Sequence, residues 1–413
     1  MTPAYFAFDP ASRRLSLDAR NPDFYSNPNA AYAAMHATSP TFWWEEEEQW
    51  YFAGYDEVNA LLRDRRFGRQ ITHVMSREAL GWPEPPAHLA DFERAESKSL
   101  LCLEPPEHTI LRTLVNRAFV SRNIERLRPE IGHLTHRLID GFEKDGGTEL
   151  LSSFAEIIPV TIIASMMGVP LDMCRQLLDW SHAYVRMYMF GKTEEDEHRA
   201  NRAAREFADY VLKMAEEKRR NPGDDLLTVM LSPGRDGRCL TDDEYVSTAI
   251  VLLNAGHEAT VHQIGNAVNT ILKHGANPRE LFADERSTEL AIEECLRIAA
   301  PVHIFERWAL EDLEFAGINF RKGEQIGLIL AAANLDPRKF SDPLAFKPTR
   351  DEGVHLSFGA GIHFCIGAPL ARLELQVALP ILFERLPGLR LASEPVVKDV
   401  YHFHGLEKLE LAW

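Results

Sequence analysis

Leu356–Leu386, "LSFGAGIHFCIGAPLARLELQVALPILFERL", is the stretch whose reading decides the fold. A glycine-rich loop delivers Cys365 to the first turn of a helix in which Pro369 takes an early position, where its missing N–H costs nothing. Free amide donors and the positive helix end lower a cysteine pKa and stabilise anionic sulfur, so this placement predicts a thiolate of the kind that ligates iron. Gly359, Gly361 and Gly367 let backbone approach a flat ligand closely, and Phe358 is placed to cover the sulfur side. A lone cysteine is more often a small buried hydrophobe, and Cys102, Cys174, Cys239 and Cys295 read that way.

These five cysteines are scattered and form no CxxC or CxxCH, which argues against a disulfide framework, a zinc ribbon and covalently attached c-type haem. A formal net charge of -17 repels nucleic acid and anionic lipid, and no Lys/Arg-rich block offsets it. The 413 residues contain no twenty-residue apolar span, and the first residues are polar and broken by prolines. The expectation is a soluble, cytoplasmic protein with no nucleic-acid or membrane partner. Length alone suggests two or three domains, yet no linker or repeat divides the chain, so one domain over 1–413 is expected.

Outward from the cysteine, apolar spacing is mostly helical between about Glu107 and Leu272. "TFWWEEEEQWYFAGY" reads as strands flanking a turn, "ALEDLEFAGINFRKGEQIGLILAAAN" as a small sheet, and the terminal "VYHFHGLEKLELAW" as a hairpin. Arg69–Pro106, rich in proline and charge, reads as a long irregular region at a candidate mouth.

"TDDEYVSTAIVLLNAGHEATVHQIGNAVNTILKHG" opens with Thr241 and Glu244 in capping-box spacing and closes at Gly275, a helix long enough to run through the core. Gly256 in its interior costs about 1 kcal/mol relative to Ala, and Glu258 costs more if buried unpaired. Two readings stay open from this segment alone: close helix packing at Ala255-Gly256 with Glu258 on the surface, or an opening made for function.

The spacing Phe358-x-x-Gly361-x-His363-x-Cys365-x-Gly367 resembles the haem-binding signature of the cytochrome P-450 superfamily, and the likeness runs from "EPPEHTILR" to the chain's end. It implies a mainly α fold with small β regions, holding haem b between the long distal helix and the helix after the cysteine loop, with Cys365 on the iron. Glu294 and Arg297 in "AIEECLRIAAP" share one helical face. They resemble the family's structural ExxR pair, with Arg350 as expected partner. His108, Arg112, Arg307 and His363 resemble its propionate contacts, which burying two carboxylates requires.

In the same resemblance, "AGHEAT" crosses the oxygen-binding face. Ala255 and Gly256 leave room for dioxygen and let the backbone distort, while Glu258 passes protons inward. Ala259 departs from the family, which usually has threonine there, and Thr260 lies about 100° further around the helix. Either the substrate supplies a hydroxyl or holds a water, or the helix shifts to bring Thr260 in, or oxygen activation is poorly coupled. We favour the first.

The resemblance also places the pocket between Arg69–Leu103, the segment from Cys174 to Phe190, the distal helix, "PVHIF" and "YHFHG", with Val251, Asn254, His303 and Phe403 as lining residues. Asn254 and His303 could grip a substrate oxygen or could bond only to backbone. Without a GxGxxG fingerprint, electrons must come from a separate ferredoxin and reductase. Arg112, Arg117, Arg122, Arg126 and Arg128 form a cationic patch suited to an acidic ferredoxin. The function implied is a monooxygenase acting on a small or medium hydrophobic molecule, with hydroxylation as the default. A peroxygenase or a non-catalytic haem protein that binds ligand is the alternative.

Overall fold

The distal helix, Asp242–Lys273, forms as its sequence predicts. Thr241 Oγ1 accepts from the Glu244 amide, and the Glu244 carboxylate accepts from the Thr241 amide at 2.9 Å. His274 caps the far end, followed by Gly275 in the left-handed region at φ 59°. The computed structural model describes residues 5–189, 191–234 and 237–413, so residue 190 of the expected pocket lies outside the described residues. Ile157–Met167, Cys174–Val185, Glu194–Arg220, Glu285–Ile298 and Ala368–Arg385 pack around the distal helix. That surround explains why Ile250, Leu253, Ile264, Val268 and Ile271 are buried and why the helix carries apolar residues on more than one face.

The strands form separate sheets. A seven-stranded sheet joins, in order, Ala7–Asp9, Arg14–Ser16, Thr41–Trp44, Gln49–Phe52, Gln325–Ile329, Ile304–Ala309 and Phe67–Gly68. Thr41–Trp44 and Gln49–Phe52 pair antiparallel as the turn between them predicts. The terminal segment corrects its reading. Leu406–Lys408 pairs with Val396–Val397, while Glu410–Ala412 pairs with Arg390–Leu391 and Gly147–Glu149, so the two strands enter different sheets instead of one hairpin. Leu409 between them is buried, and its amide donates to Glu149 Oε1 at 3.0 Å, which bends the chain away from self-pairing.

The proline-rich mouth also holds more structure than its composition suggests. Ala90–Glu96 is helical, burying Phe92 and Ala95. Glu96 accepts hydrogen bonds from Tyr184 Oη (2.6 Å) and Tyr188 Oη (2.8 Å), tying this segment to the far side of the expected pocket.

On the helix Glu285–Ile298, Glu294 and Arg297 form a bidentate pair at 2.7 and 2.8 Å, both buried. Arg350 Nε reaches Glu294 at 3.4 Å, and the Lys347 amide donates to the same carboxylate at 2.9 Å. Arg297 also donates to the carbonyls of Asn334 (2.9 Å) and Pro343 (2.8 Å). Among the described residues, no helix is long and apolar enough to cross a membrane. Glu294→Ala leaves the buried Arg297 guanidinium without its carboxylate, while Arg350 keeps Glu352, and should destabilise the protein by about 3–5 kcal/mol. Chemical denaturation of the two proteins side by side checks this, and a loss within 1 kcal/mol, the range of an exposed pair, would contradict the bracing role.

Candidate functional site

Gly359 and Gly361 take positive φ, 67° and 71°, the conformations that let the loop fold under the cysteine. A Cβ on Gly361 would collide with the backbone of Leu62 and Arg63 just past the helix Tyr55–Leu61, so the loop lies directly on that chain end. The Cys365 amide donates to Phe358 O at 2.9 Å, closing the loop, and the Arg372 guanidinium sits 4.5 Å from the Phe358 ring centroid. A Cβ on Gly367 would lie 3.9 Å from Cys365 Sγ.

The expected lowering of the thiol pKa is corrected. Burial raises it, and the opposing Gly367 amide, Arg112, Ala368 amide and Arg372 do not overcome that. The donors act in the expected direction, but they suffice only once a metal cation takes the proton's place on sulfur.

A second feature sits beside this loop. The His108 and His363 rings lie 4.4 Å apart, and His108 Nε2 is buried without a partner. Burial and the neighbouring His363 and Arg112 hold His108 at about 4. Arg307 is buried with Nη1 on the Glu306 carbonyl (2.8 Å), and burial holds it down at about 9. Arg69 donates to Leu101 O (3.2 Å) and Glu306 O (3.0 Å). Among the described residues neither arginine has a carboxylate partner in an ion pair; Glu104, 3.3 Å from His363 Nε2, faces Arg307, and Glu96 and Glu306, both pushed up by burial, face Arg69. This excess of positive charge fits the propionate edge of a haem, and the glycine-bearing cysteine loop fits its face. Arg69 was absent from the expected set; its signal was its position directly after the strand Phe67–Gly68. Arg112 Nη2 donates to Phe364 O at 2.5 Å, so it also braces the cysteine loop.

The distal helix runs as unbroken α-helix through Ala255–Thr260, correcting the expectation that it opens there. Gly256 serves packing, since a Cβ on it would lie 2.5 Å from Ile163 Cγ1 on the neighbouring helix. Ala255 is exposed, and Val251 and Ala259 are partly exposed, in a helix otherwise largely buried. Spaced four apart, they form one bare row. Thr260 is buried and lies about 100° around the helix from Ala259 in that row. Asn254 is buried with Oδ1 unpartnered.

His303 is corrected too. Its Nδ1 meets Tyr32 Oη at 2.9 Å and its Nε2 the Ala300 carbonyl at 3.1 Å, so neither nitrogen is free for a substrate. Phe403 is half-buried and bridges Val302. In the cationic patch Arg117, Arg122 and Arg126 are exposed, whereas Arg128 is paired to Glu125 at 2.9 Å and adds little net charge.

The family model "Cytochrome P450" matches residues 286–389, which contain both the Glu294–Arg297 pair and the cysteine loop. The "Biotin biosynthesis cytochrome P450" of Bacillus subtilis is 34% identical over 95% of this chain and 97% of its own. This chain belongs to the cytochrome P450 family. The 6-deoxyerythronolide B hydroxylase of Saccharopolyspora erythraea is 35% identical over 91% of this chain and 93% of its own. Among solved structures, P450BioI in complex with hexadec-9Z-enoic acid ligated acyl carrier protein superposes with a TM-score of 0.88 at 33% identity, covering 95% of this chain and 100% of that one. The P450 fold, haem b as cofactor and monooxygenase activity as a class follow from this membership.

Gly256→Ala tests the packing assignment. Helix propensity alone would add about 1 kcal/mol of stability, whereas overpacking against Ile163 costs about 1–3 kcal/mol. A net loss on chemical denaturation is expected, and a net gain would show that Ile163 yields freely.

Proposed function

We propose that this P450 inserts one atom of dioxygen into a small or medium hydrophobic molecule, with hydroxylation as the default outcome and electrons drawn from a separate ferredoxin and reductase in the cytoplasm. The observation that carries the reading is the bare row Val251–Ala255–Ala259 on a helix buried elsewhere. Haem held through Cys365 supplies oxygen activation when bound. His108, Arg112, Arg307 and His363, joined by Arg69, hold the propionates, while Phe358, Gly359, Gly361 and Gly367 shape the side that carries the sulfur. The triad Glu294–Arg297–Arg350 braces this half and takes no part in the chemistry.

On the other face, Val251 and Ala255 set how closely a substrate approaches, and Phe403 closes an apolar wall. Asn254 Oδ1, buried without a partner, accepts a hydrogen bond from a substrate hydroxyl or an ordered water. Ala259 offers no hydroxyl and Thr260 faces elsewhere, so the final hydrogen bond to the reacting oxygen comes from the substrate or from a water it holds. Relatives and neighbours whose names mention a fatty acyl carrier protein, 6-deoxyerythronolide B or testosterone support a mainly apolar substrate without singling one out. For the electron donor, exposed Arg117, Arg122 and Arg126 near exposed Val120 make a surface for an acidic partner, in which charge steers and the apolar residue packs.

Reducing the purified protein under carbon monoxide should give the strongly red-shifted band of thiolate ligation, and titration with terpenoid, fatty-acid and macrolactone ligands should identify those that displace water from the iron. A band typical of histidine or neutral-thiol ligation would overturn the site, and efficient peroxide-driven turnover without a donor would favour the peroxygenase. Ala259→Thr should lower product formation several-fold if the substrate assists. Improved coupling with unchanged substrate affinity would show assistance to be unnecessary.

A further inference from the structure

Glu258, on the distal helix, sits inside a ring of titratable groups. Ser181 Oγ donates to its Oε1 at 3.2 Å, and His182 Nε2 lies 3.6 Å from the same oxygen. From its own helix, His257 Nε2 lies 3.7 Å away, and His262 also faces it. Burial pushes the Glu258 carboxyl up, but His257, His182 and His262 outweigh burial and hold it at about 2.

The donor accounting at His257 constrains this cluster independently. His257 Nδ1 lies 2.7 Å from the Leu253 carbonyl, which can only accept, so Nδ1 carries a hydrogen. Its buried Nε2 has no hydrogen-bond partner and points toward the acid. A bare lone pair facing an ionised carboxylate is repulsive where the two side chains are only 2% and 7% exposed. One proton therefore belongs between the two groups, on Nε2 opposite ionised Glu258 or on Glu258 opposite Nε2.

The three histidines differ in access. The His257 side chain is 2% exposed and that of Glu258 7%, but that of His182 is 53% exposed. His262 is buried, lies against Gly405, and is held at about 4 by burial and by Lys398, with His404 also facing it, so it stays neutral near pH 7 and holds no second proton to give. His182, on the helix Cys174–Val185, thus touches both solvent and the acid.

We propose that His257 and Glu258 hold one proton as a buried store on the distal helix, refilled from solvent through His182. This rests on the monooxygenase reading and names the residues that feed its protons. When the store passes its proton to a water in the bare row, the His257 Nε2–H or Glu258 O–H bond that held it breaks and an O–H bond forms on that water; the N–H bond of protonated His182 then breaks and an O–H bond forms at Glu258 Oε1, restoring the pair to one proton. His182 then regains a proton from water, so one proton leaves solvent for each one delivered. Ser181 is a positioning residue that keeps Oε1 turned toward His182.

The test uses the full-length haem-loaded protein. With histidine ¹⁵N-labelled and the iron ferrous and carbonyl-bound, Glu258→Gln should move the ring resonances of both His257 and His182, because they share its carboxylate. In turnover, His182→Gln should raise hydrogen peroxide release several-fold per electron consumed and enlarge the solvent deuterium isotope effect, with the carbonyl band and substrate affinity unchanged. His257→Phe should do the same. If the His257 and His182 resonances ignore Glu258→Gln, or His182→Gln couples like wild type, the store is overturned while the monooxygenase reading stands. An absent thiolate carbonyl band in the wild type would overturn both.

Discussion

The Glu294 carboxylate holds the cysteine side of the molecule together by collecting donors from its own helix and from the distant stretch 347–350. Arg297 and Arg350 bind it, the Lys347 amide adds a third donor, and Arg297 reaches on to the carbonyl of Asn334. Asn334 extends the chain of bonds. Its Nδ2 donates to Ser357 Oγ at 2.8 Å, its Oδ1 accepts from the Leu356 amide at 2.6 Å, and Ser357 Oγ donates to Leu296 O at 2.7 Å. The first residues of the cysteine loop are thereby bonded back to the helix that carries the acid. A buried charge so fully satisfied costs little in the folded state and a great deal if any partner leaves, which is why such a cluster specifies one geometry.

Small residues on the distal helix have separate causes although they stand side by side. Gly256 is small because the neighbouring helix leaves no room for a Cβ, whereas Ala255 and Ala259 are small on a row that protein side chains cover only in part. The rotation of about 100° per residue divides these roles. It also carries Thr260 into the packed side, so a hydroxyl one position late is lost to the open face.

Charge is divided in a comparable way. A chain of net charge -17 gathers Arg69, Arg307, Arg112, His108 and His363 around Glu104, beside the cysteine loop. On the distal side the balance reverses to Glu258 among three histidines. One region is built to hold anions firmly, and the other to hold a proton loosely enough to pass on.

By itself the sequence determined the fold family, the cysteine loop, the capped distal helix and the ExxR pair, because each is written in local spacing: glycines before Cys365, Thr241 three residues before Glu244, Glu294 three before Arg297. The tertiary structure decided what local spacing cannot hold. The terminal strands went to separate sheets because the partners of each lay elsewhere in the chain. His303 was consumed by Tyr32 and the Ala300 carbonyl, and Arg69 joined the cationic cluster from the first position of the proline- and charge-rich segment, whose composition does not say which arginine turns inward. The His182 contact with Glu258 spans 76 positions of sequence. Contacts of that separation depend on which helix faces pack together, and packing is a property of the whole core, not of any one segment.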